Sequence, residues 1–157
     1  MYILNPGVKG DPLKLWGLTD RIFFGNGACH ILAGVFLKAP PQTGFHAEWI
    51  KPRNGARGNH IFLTNGDLAF DFHGYSLRLR LMDHYRRNWS ARVPGWAADV
   101  ERVDFDLLDT PSLNRINHRG PDQYAGDPIL RAEQFLGRID HATASKKAER
   151  LKQALTR

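Results

Sequence analysis

The chain has 157 residues, of which 42% are apolar and 24% charged, with a formal net charge of +6 and a pI of about 9.8. This length supports one domain with a substantial core, and the composition is that of a globular protein rather than a disordered or fibrous one. No apolar run approaches the roughly 20 residues that span a bilayer, and the N-terminus lacks the pattern of a signal peptide. We therefore expect a cytoplasmic protein with no membrane partner.

Two helices are predicted before the first strand. A helical pattern begins at Asp11-Pro12, where proline suits the first turn, and ends at Gly25. A second, strongly apolar helix begins at Ala28 or Cys29 and is stopped by Pro40-Pro41.

Strands follow, and then mostly helices. Alternating apolar and polar residues over Phe45–Ile50 predict a strand, and Asn59–Gly74 predicts a two-stranded hairpin around Asn65-Gly66, a strong hairpin signal. The remaining predictions, in chain order, are a helix over Ser76–Trp89, a strand over Val100–Phe105, an irregular segment over Pro111–Pro121, a helix from Asp127-Pro128 to Leu136, and a basic amphipathic helix over Ala142–Arg157.

This order of elements predicts an α+β fold whose sheet is antiparallel at least in part. We expect a single domain over 1–140 and a basic C-terminal helix over 141–157. The last thirteen residues carry five bases against Glu149, and Arg78–Arg92 is a second basic stretch. Such stretches are usually solvated helix faces, and they favour acidic partners.

The most informative feature is an ordered set of three reactive side chains. Cys29 is the single cysteine, at a predicted helix start, and His60 and Asp71 lie on the two strands of the hairpin. If Asn65-Gly66 forms a type I′ turn, His60 faces Asp71 directly, with Cβ atoms roughly 4.5–5.5 Å apart. Alternation then places five apolar residues on the opposite face, namely Ile61, Leu63, Leu68, Phe70 and Phe72.

These residue types suit nucleophilic catalysis. A thiol at a helix N-terminus beside an imidazole is favoured as the thiolate, and a carboxylate on the far ring nitrogen orients the imidazole. Cys29 would attack an acyl carbon and His60 would pass a proton to the leaving group. The backbone N–H groups of the helix start would bind the oxyanion.

The segment Gly27-Ala28-Cys29-His30-x-x-Ala33, followed by His60, Gly66 and Asp71-x-x-Gly74, resembles the papain-like superfamily in its Cys, His, Asp order. Transglutaminase-like and NlpC/P60-like proteins share this order. The resemblance covers about a third of the chain. It implies a cysteine-bearing helix packed on a small antiparallel sheet, and hydrolysis or transfer at an amide or thioester bond without metal or organic cofactor.

A peptide or small amide is the substrate that this resemblance implies. The catalytic residues would be Cys29, His60 and Asp71. Candidates for binding the oxyanion or the substrate are Asn26, Gly27, His30 and His73. The chain departs from the family where a glutamine would precede the nucleophile and where His30 replaces an aromatic residue.

Other readings compete with catalysis. Free cysteines are often buried and inert, and Cys29, His60, Asp71 and His73 together have the side chains of a zinc site, although no CxxC pair exists. A basic helix with interleaved Tyr85 and Trp89 is compatible with nucleic-acid binding, which no motif supports. A protein-interaction module on an inactive fold, docking to an acidic partner, is a further alternative.

Overall fold

The computed structural model describes residues 2–156, which divide into two compact units. The first unit combines the stretch up to Pro41 with Asp104–Ile139, and the second combines Gln42–Val103 with the stretch from Asp140 onward. Within the described residues there are seven α-helices and one five-stranded antiparallel sheet. The predicted α+β class is therefore confirmed.

The first unit is helical, and the second contains the sheet. Helices of the first unit are α1 (Pro12–Trp16), α2 (Asp20–Asn26), α3 (Cys29–Lys38), α5 (Thr110–Arg115) and α6 (Pro128–Gly137). The second unit contains β1 (His46–Pro52), β2 (His60–Thr64), β3 (Leu68–Asp71), β4 (Gly74–Leu77), α4 (Arg78–Ser90), β5 (Ala98–Arg102) and α7 (His141–Leu155).

Aspartate caps begin three helices of the first unit. Asp11 Oδ1 accepts hydrogen bonds from the backbone N–H groups of Leu13 and Lys14, both at 3.1 Å. Asp109 caps α5 and Asp127 caps α6 in the same way. Each cap satisfies N–H groups that a helix end leaves without an intrahelical partner. The helix starts predicted at Asp11-Pro12 and Asp127-Pro128 are confirmed.

Two predictions for this unit are wrong. The single helix expected up to Gly25 is two helices, because α1 ends at Gly17 and α2 starts anew after its N-cap residue Thr19. The segment over 111–121, expected to be irregular, contains most of α5. Its signal was the cap: Asp109 precedes a threonine and a proline, which is a helix start rather than only a turn.

The core of the first unit lies around α3, where His30 to Phe36 are all buried. Arg131 of α6 is tied to the start of the chain. It donates to Asp20 and to the carbonyl of Trp16, each at 2.7 Å, and its guanidinium lies 4.8 Å from the Trp16 ring centroid. Gly126, just before α6, packs against the same indole, which a Cβ at this position would overlap.

The sheet of the second unit has the order β4-β3-β2-β1-β5 and is covered on both faces. Leu81, Tyr85 and Trp89 of α4 pack in one cluster with Ile50 and Phe62. In a separate cluster, Ala148 of α7 packs with Leu68 and Leu77. Because both faces are covered, every residue of β2 and β3 is buried.

The strand β4 was not predicted. Asp71 pairs with Gly74 across a tight turn formed by Phe72 and His73, and Gly74 has a positive φ of 93°, which glycine adopts without strain. The chain therefore turns back into a third strand before α4 begins. The predicted start of that helix at Ser76 is wrong by two residues, and the strand expected over 100–105 lies at 98–102.

The predicted C-terminal helix is confirmed as α7, which contacts β3 and β4 within the second unit. Arg157, one of its predicted bases, lies outside the described residues. The division into a domain over 1–140 and a separate terminal helix stays a prediction. Among the helices of residues 2–156, none combines the length and the apolar composition needed to cross a bilayer.

The contact between Gly126 and Trp16 makes a stability prediction. We expect Gly126→Ala to lower the free energy of unfolding by about 1–3 kcal/mol, because the added methyl group must displace a packed ring. Gly137→Ala is the matched control, since its Cβ would meet nothing within 4 Å and alanine is the better helix former. Chemical denaturation of both variants measures the difference, and equal loss in the two would contradict the packing described for Gly126.

Candidate functional site

His60 and Asp71 form a buried, hydrogen-bonded pair in the second unit. His60 is the first residue of β2, Asp71 is the last of β3, and His60 Nε2 lies 2.9 Å from Asp71 Oδ2. The His60 side chain is 0% exposed and that of Asp71 is 4% exposed. The contact predicted between these two side chains is confirmed.

The strand register that produces this contact differs from the predicted one. Thr64 pairs with Ala69, whereas the predicted partner of Thr64 was Asp67. Gly66 has a φ of 99°, but Asn65 does not have the positive φ that a type I′ turn also requires. The Asn65 side chain instead accepts hydrogen bonds from the N–H groups of the two residues that follow Gly66, at 3.1 and 2.8 Å, and so widens the turn.

The widened turn shifts the register by two positions, and an even shift keeps each side chain on its face. Extending the observed pairs places Phe62 opposite Asp71 and makes His60 the diagonal neighbour of Asp71. Diagonal neighbours remain within reach for a long side chain. The pair was therefore predicted correctly from a register that was wrong in detail.

Aromatic rings enclose the His60 imidazole. Tyr85 of α4 stacks on it, with ring centroids 4.6 Å apart and planes at 11°. Phe72 meets it edge-on at 5.8 Å. The prediction that Phe72 belongs to the opposite, apolar face is wrong, because Phe72 lies in the β3–β4 turn rather than in a strand. These contacts fix the ring plane of His60.

Asp71 is charged in spite of its burial. Burial alone would raise its pKa, but hydrogen bonds from His60 and His73 outweigh that cost and hold the pKa well below its usual range. The His73 backbone N–H donates to Asp71 Oδ1 at 2.9 Å, and His73 Nδ1 lies 3.5 Å from the same oxygen. His60 and His73 therefore both contact this one carboxylate.

Cys29 begins α3 in the first unit and is partly exposed. The first N–H groups of any helix lack intrahelical acceptors and carry the positive end of the helix dipole. The preceding residue, Ala28, makes no side-chain cap. The sequence prediction of a thiol at a helix N-terminus is confirmed, and this position favours a negative charge on the thiol.

The residues next to Cys29 have structural contacts of their own. Asn26 Nδ2 donates to the Ile22 carbonyl at 3.1 Å, within α2. The Gly27 carbonyl accepts from the Tyr124 hydroxyl at 2.6 Å, and a Cβ on Gly27 would come within 2.8 Å of Leu15. Each contact explains the residue without a substrate, so the oxyanion and substrate roles predicted for Asn26 and Gly27 stay predictions.

His30 is buried beneath this helix start. Its Nε2 lies 2.7 Å from the Arg119 carbonyl and its ring is 4.9 Å from that of His118, edge-on. These contacts are those of a packing residue. A role of His30 in substrate binding stays a prediction.

His118 is a residue that sequence reasoning missed. Burial lowers its pKa, and the thiolate form of Cys29 acts in the opposite direction, so the two groups lie within electrostatic range. The pKa of Tyr124 is raised by burial and, to a smaller degree, by Cys29. His118 follows Asn117, which has a positive φ of 59°, in a turn-rich segment. No local pattern in the sequence connects this segment with Cys29.

Specific observations bear on two of the alternatives to catalysis, namely a zinc site and nucleic-acid binding through α4. Across residues 2–156, no group of three or more His, Cys, Asp or Glu side chains has a geometry that could hold a metal ion. Tyr85 and Trp89 are 5% and 8% exposed and belong to the core under α4, so they are not available to stack on bases. Asp83 also pairs with two of the arginines of α4, at 2.7 and 2.8 Å.

Comparison of the chain with family models, curated proteins and solved structures finds no match.

The low pKa of Asp71 makes the stability of the protein depend on pH. Because the carboxylate has a lower pKa in the folded protein, its contribution is present above the unfolded pKa of about 3.9 and is lost as the pH falls below that value. We expect Asp71→Asn to destabilise the protein by about 1–3 kcal/mol at pH 7 and to show a smaller further loss between pH 5 and 3 than the wild type.

Asp104→Asn removes the same charge at an exposed position and is the matched control. Urea denaturation between pH 3 and 7 measures all three proteins. Parallel curves for wild type and Asp71→Asn would contradict a buried, ionised Asp71.

Proposed function

We propose that this protein is a cysteine-dependent hydrolase or acyl transferase of papain-like architecture, acting on an amide or thioester bond. Cys29 is the nucleophile, His60 the general base and acid, and Asp71 the residue that orients His60. The observation that carries the proposal is the buried hydrogen bond between His60 and Asp71, at 2.9 Å.

The His60–Asp71 pair supports the proposal because it has the two properties that a catalytic imidazole needs. The Asp71 carboxylate fixes the ring tautomer and stabilises the imidazolium that forms during the reaction. The aromatic enclosure excludes water, which strengthens that electrostatic support.

The position of Cys29 gives independent support from the first unit. A thiol at the N-terminus of a ten-residue helix, partly exposed, is accessible and electrostatically favoured as the thiolate. A helix that begins with the thiol, and an antiparallel sheet that carries the histidine and the aspartate in that chain order, are the parts that the papain-like resemblance implies. The reaction requires the thiol and the imidazole to meet.

The chemistry takes two balanced steps. The Cys29 sulfur forms a bond with the acyl carbon, the bond to the leaving amine or thiol breaks, and the His60 imidazolium gives its proton to the leaving group. The acyl group is then a thioester on Cys29. Water or an amine attacks this thioester, His60 takes the proton of the attacking group, and Cys29 leaves as the thiolate. Peptides and small amides are the substrate class.

His118 is the alternative partner of the thiol, because it lies within electrostatic range of Cys29 in the same unit. Its lowered pKa favours the neutral ring, which is the form that a general base needs. His118 Nδ1 faces the Ile116 carbonyl at 2.8 Å. We assign the catalytic role to His60 because of its buried hydrogen bond to the ionised Asp71, and we use His118 as the discriminating comparison.

Alkylation of Cys29 by iodoacetamide tests which histidine activates the thiol. Because the chain has one cysteine, intact-mass spectrometry reports that residue alone. We expect His60→Gln to slow alkylation at pH 6 at least about tenfold while changing the rate at pH 9 little, since the thiolate then forms without assistance. His118→Gln is expected to change the rate at pH 6 by less than about threefold.

The opposite pattern, with His118→Gln slow and His60→Gln unchanged, would transfer the catalytic role to His118. Wild-type alkylation that falls about tenfold per pH unit below pH 8.5 would mean that Cys29 is an ordinary thiol and would overturn the proposal.

Acyl-probe profiling then addresses the substrate. A panel of electrophilic peptide and small-amide esters is incubated with the wild type, and the mass of the adduct identifies the preferred acyl group. With the best ester as substrate, we expect Cys29→Ala and His60→Ala to abolish turnover, and Asp71→Asn to cost less than either. Equal turnover by Cys29→Ala would exclude the proposed nucleophile.

A further inference from the structure

The Asp71 carboxylate is shared between two histidines. Its Oδ2 contacts His60, and its Oδ1 accepts from the His73 backbone N–H at 2.9 Å with the His73 ring 3.5 Å away. His60 is 0% exposed, whereas the His73 side chain is 44% exposed. One carboxylate thus joins an enclosed imidazole to an imidazole in contact with solvent.

The tight β3–β4 turn creates this arrangement. Asp71 and Gly74 pair at the ends of the two strands, so His73 lies in the turn two residues after Asp71. An aspartate whose side chain accepts from the N–H two residues later forms an Asx turn, which fixes the carboxylate plane. Because Oδ1 is held by the turn, Oδ2 is directed towards His60.

One further titratable group, His84 of α4, lies within electrostatic range of the same carboxylate. The His84 ring is 6.1 Å from that of His73, and its pKa is lowered by burial and then by the charge of His73, while Asp71 acts in the opposite direction. Arg87 also lowers the pKa of His84 and is itself paired with Asp83 at 2.8 Å.

We propose that His73 is a positioning residue for the His60–Asp71 pair: it holds Asp71 Oδ1, and its ring competes with His60 for the charge of the same carboxylate. A positive charge at position 73 shares the Asp71 carboxylate and so reduces its support for a positive charge on His60. Without a positive charge at position 73, Asp71 supports His60 fully.

The test measures His60 directly and does not depend on catalysis. The ring nitrogens of His60 are followed by ¹⁵N NMR between pH 4.5 and 9 in three proteins: the wild type, His73→Gln and His73→Lys. Lysine supplies a permanent positive charge and glutamine none. We expect His60 to bind its proton roughly threefold or more weakly in His73→Lys than in His73→Gln, and the wild type serves as the reference.

His46→Lys is the matched control, because His46 is paired with Glu48 at 3.2 Å rather than with Asp71. It is expected to leave the His60 nitrogen shifts unchanged. Identical His60 shifts in His73→Gln and His73→Lys, with amide spectra showing that both are folded, would overturn the inference; so would an equal effect of His46→Lys.

Any effect of His73 on turnover rests on the proposed function, but the nitrogen shifts do not. Repeating the titration in a Cys29→Ala background separates the two. If the His73 variants alter His60 in this background while alkylation of the protein that retains Cys29 shows no activated thiol, the positioning role holds and the proposed function fails. If alkylation shows an activated thiol but substitutions at position 73 leave the His60 nitrogen shifts unchanged, the proposed function holds and the positioning role fails.

Discussion

An ionised carboxylate at 4% exposure is the constraint around which the second unit is organised. Burying a charge is costly unless hydrogen bonds and opposite charges compensate for it, and Asp71 obtains both from His60 and His73. The end of β3, the Asx turn and the start of β2 are all placed by these contacts. The stack of Tyr85 on His60 then extends the same requirement to α4, which must pack closely over this part of the sheet.

The first unit obtains its order in a different way. Its helices are short, and their starts depend on aspartate caps, while Arg131 links two of them through hydrogen bonds to backbone carbonyls and through the Trp16 ring. The starts of α2 and α3 are exceptions, because neither Thr19 nor Ala28 makes a side-chain cap there. The first N–H groups of the helix that carries Cys29 are therefore not occupied by the side chain of its N-cap residue. Such N–H groups are the donors that a binding site for a negative charge uses.

Much of the fold was predictable from local sequence patterns, and the errors have identifiable causes. The apolar run and the prolines that follow it predicted α3, and the proline after Asp127 predicted the start of α6. The strand β4 was missed because a two-residue turn at Phe72-His73 has no strong sequence signature beyond the following Gly74. The contact between His60 and Asp71 was predictable because a hairpin brings together residues that are close in the sequence. His118 was not, since 89 residues separate it from Cys29 and only tertiary packing relates them.

The interleaved course of the chain has a consequence for biosynthesis. In the second unit, one face of the sheet is covered by α7, which is the last element of the chain to be synthesised among those described. In the first unit, α3 packs against α6, and α6 begins more than ninety residues after the start of α3. Each unit can therefore close only after segments that are far apart in the chain have both been synthesised. Long loops of this kind slow folding, because entropy is lost before the contacts that compensate for it are made. Until the segment over 104–139 has been synthesised, Cys29 lacks the surroundings that it has in the folded first unit.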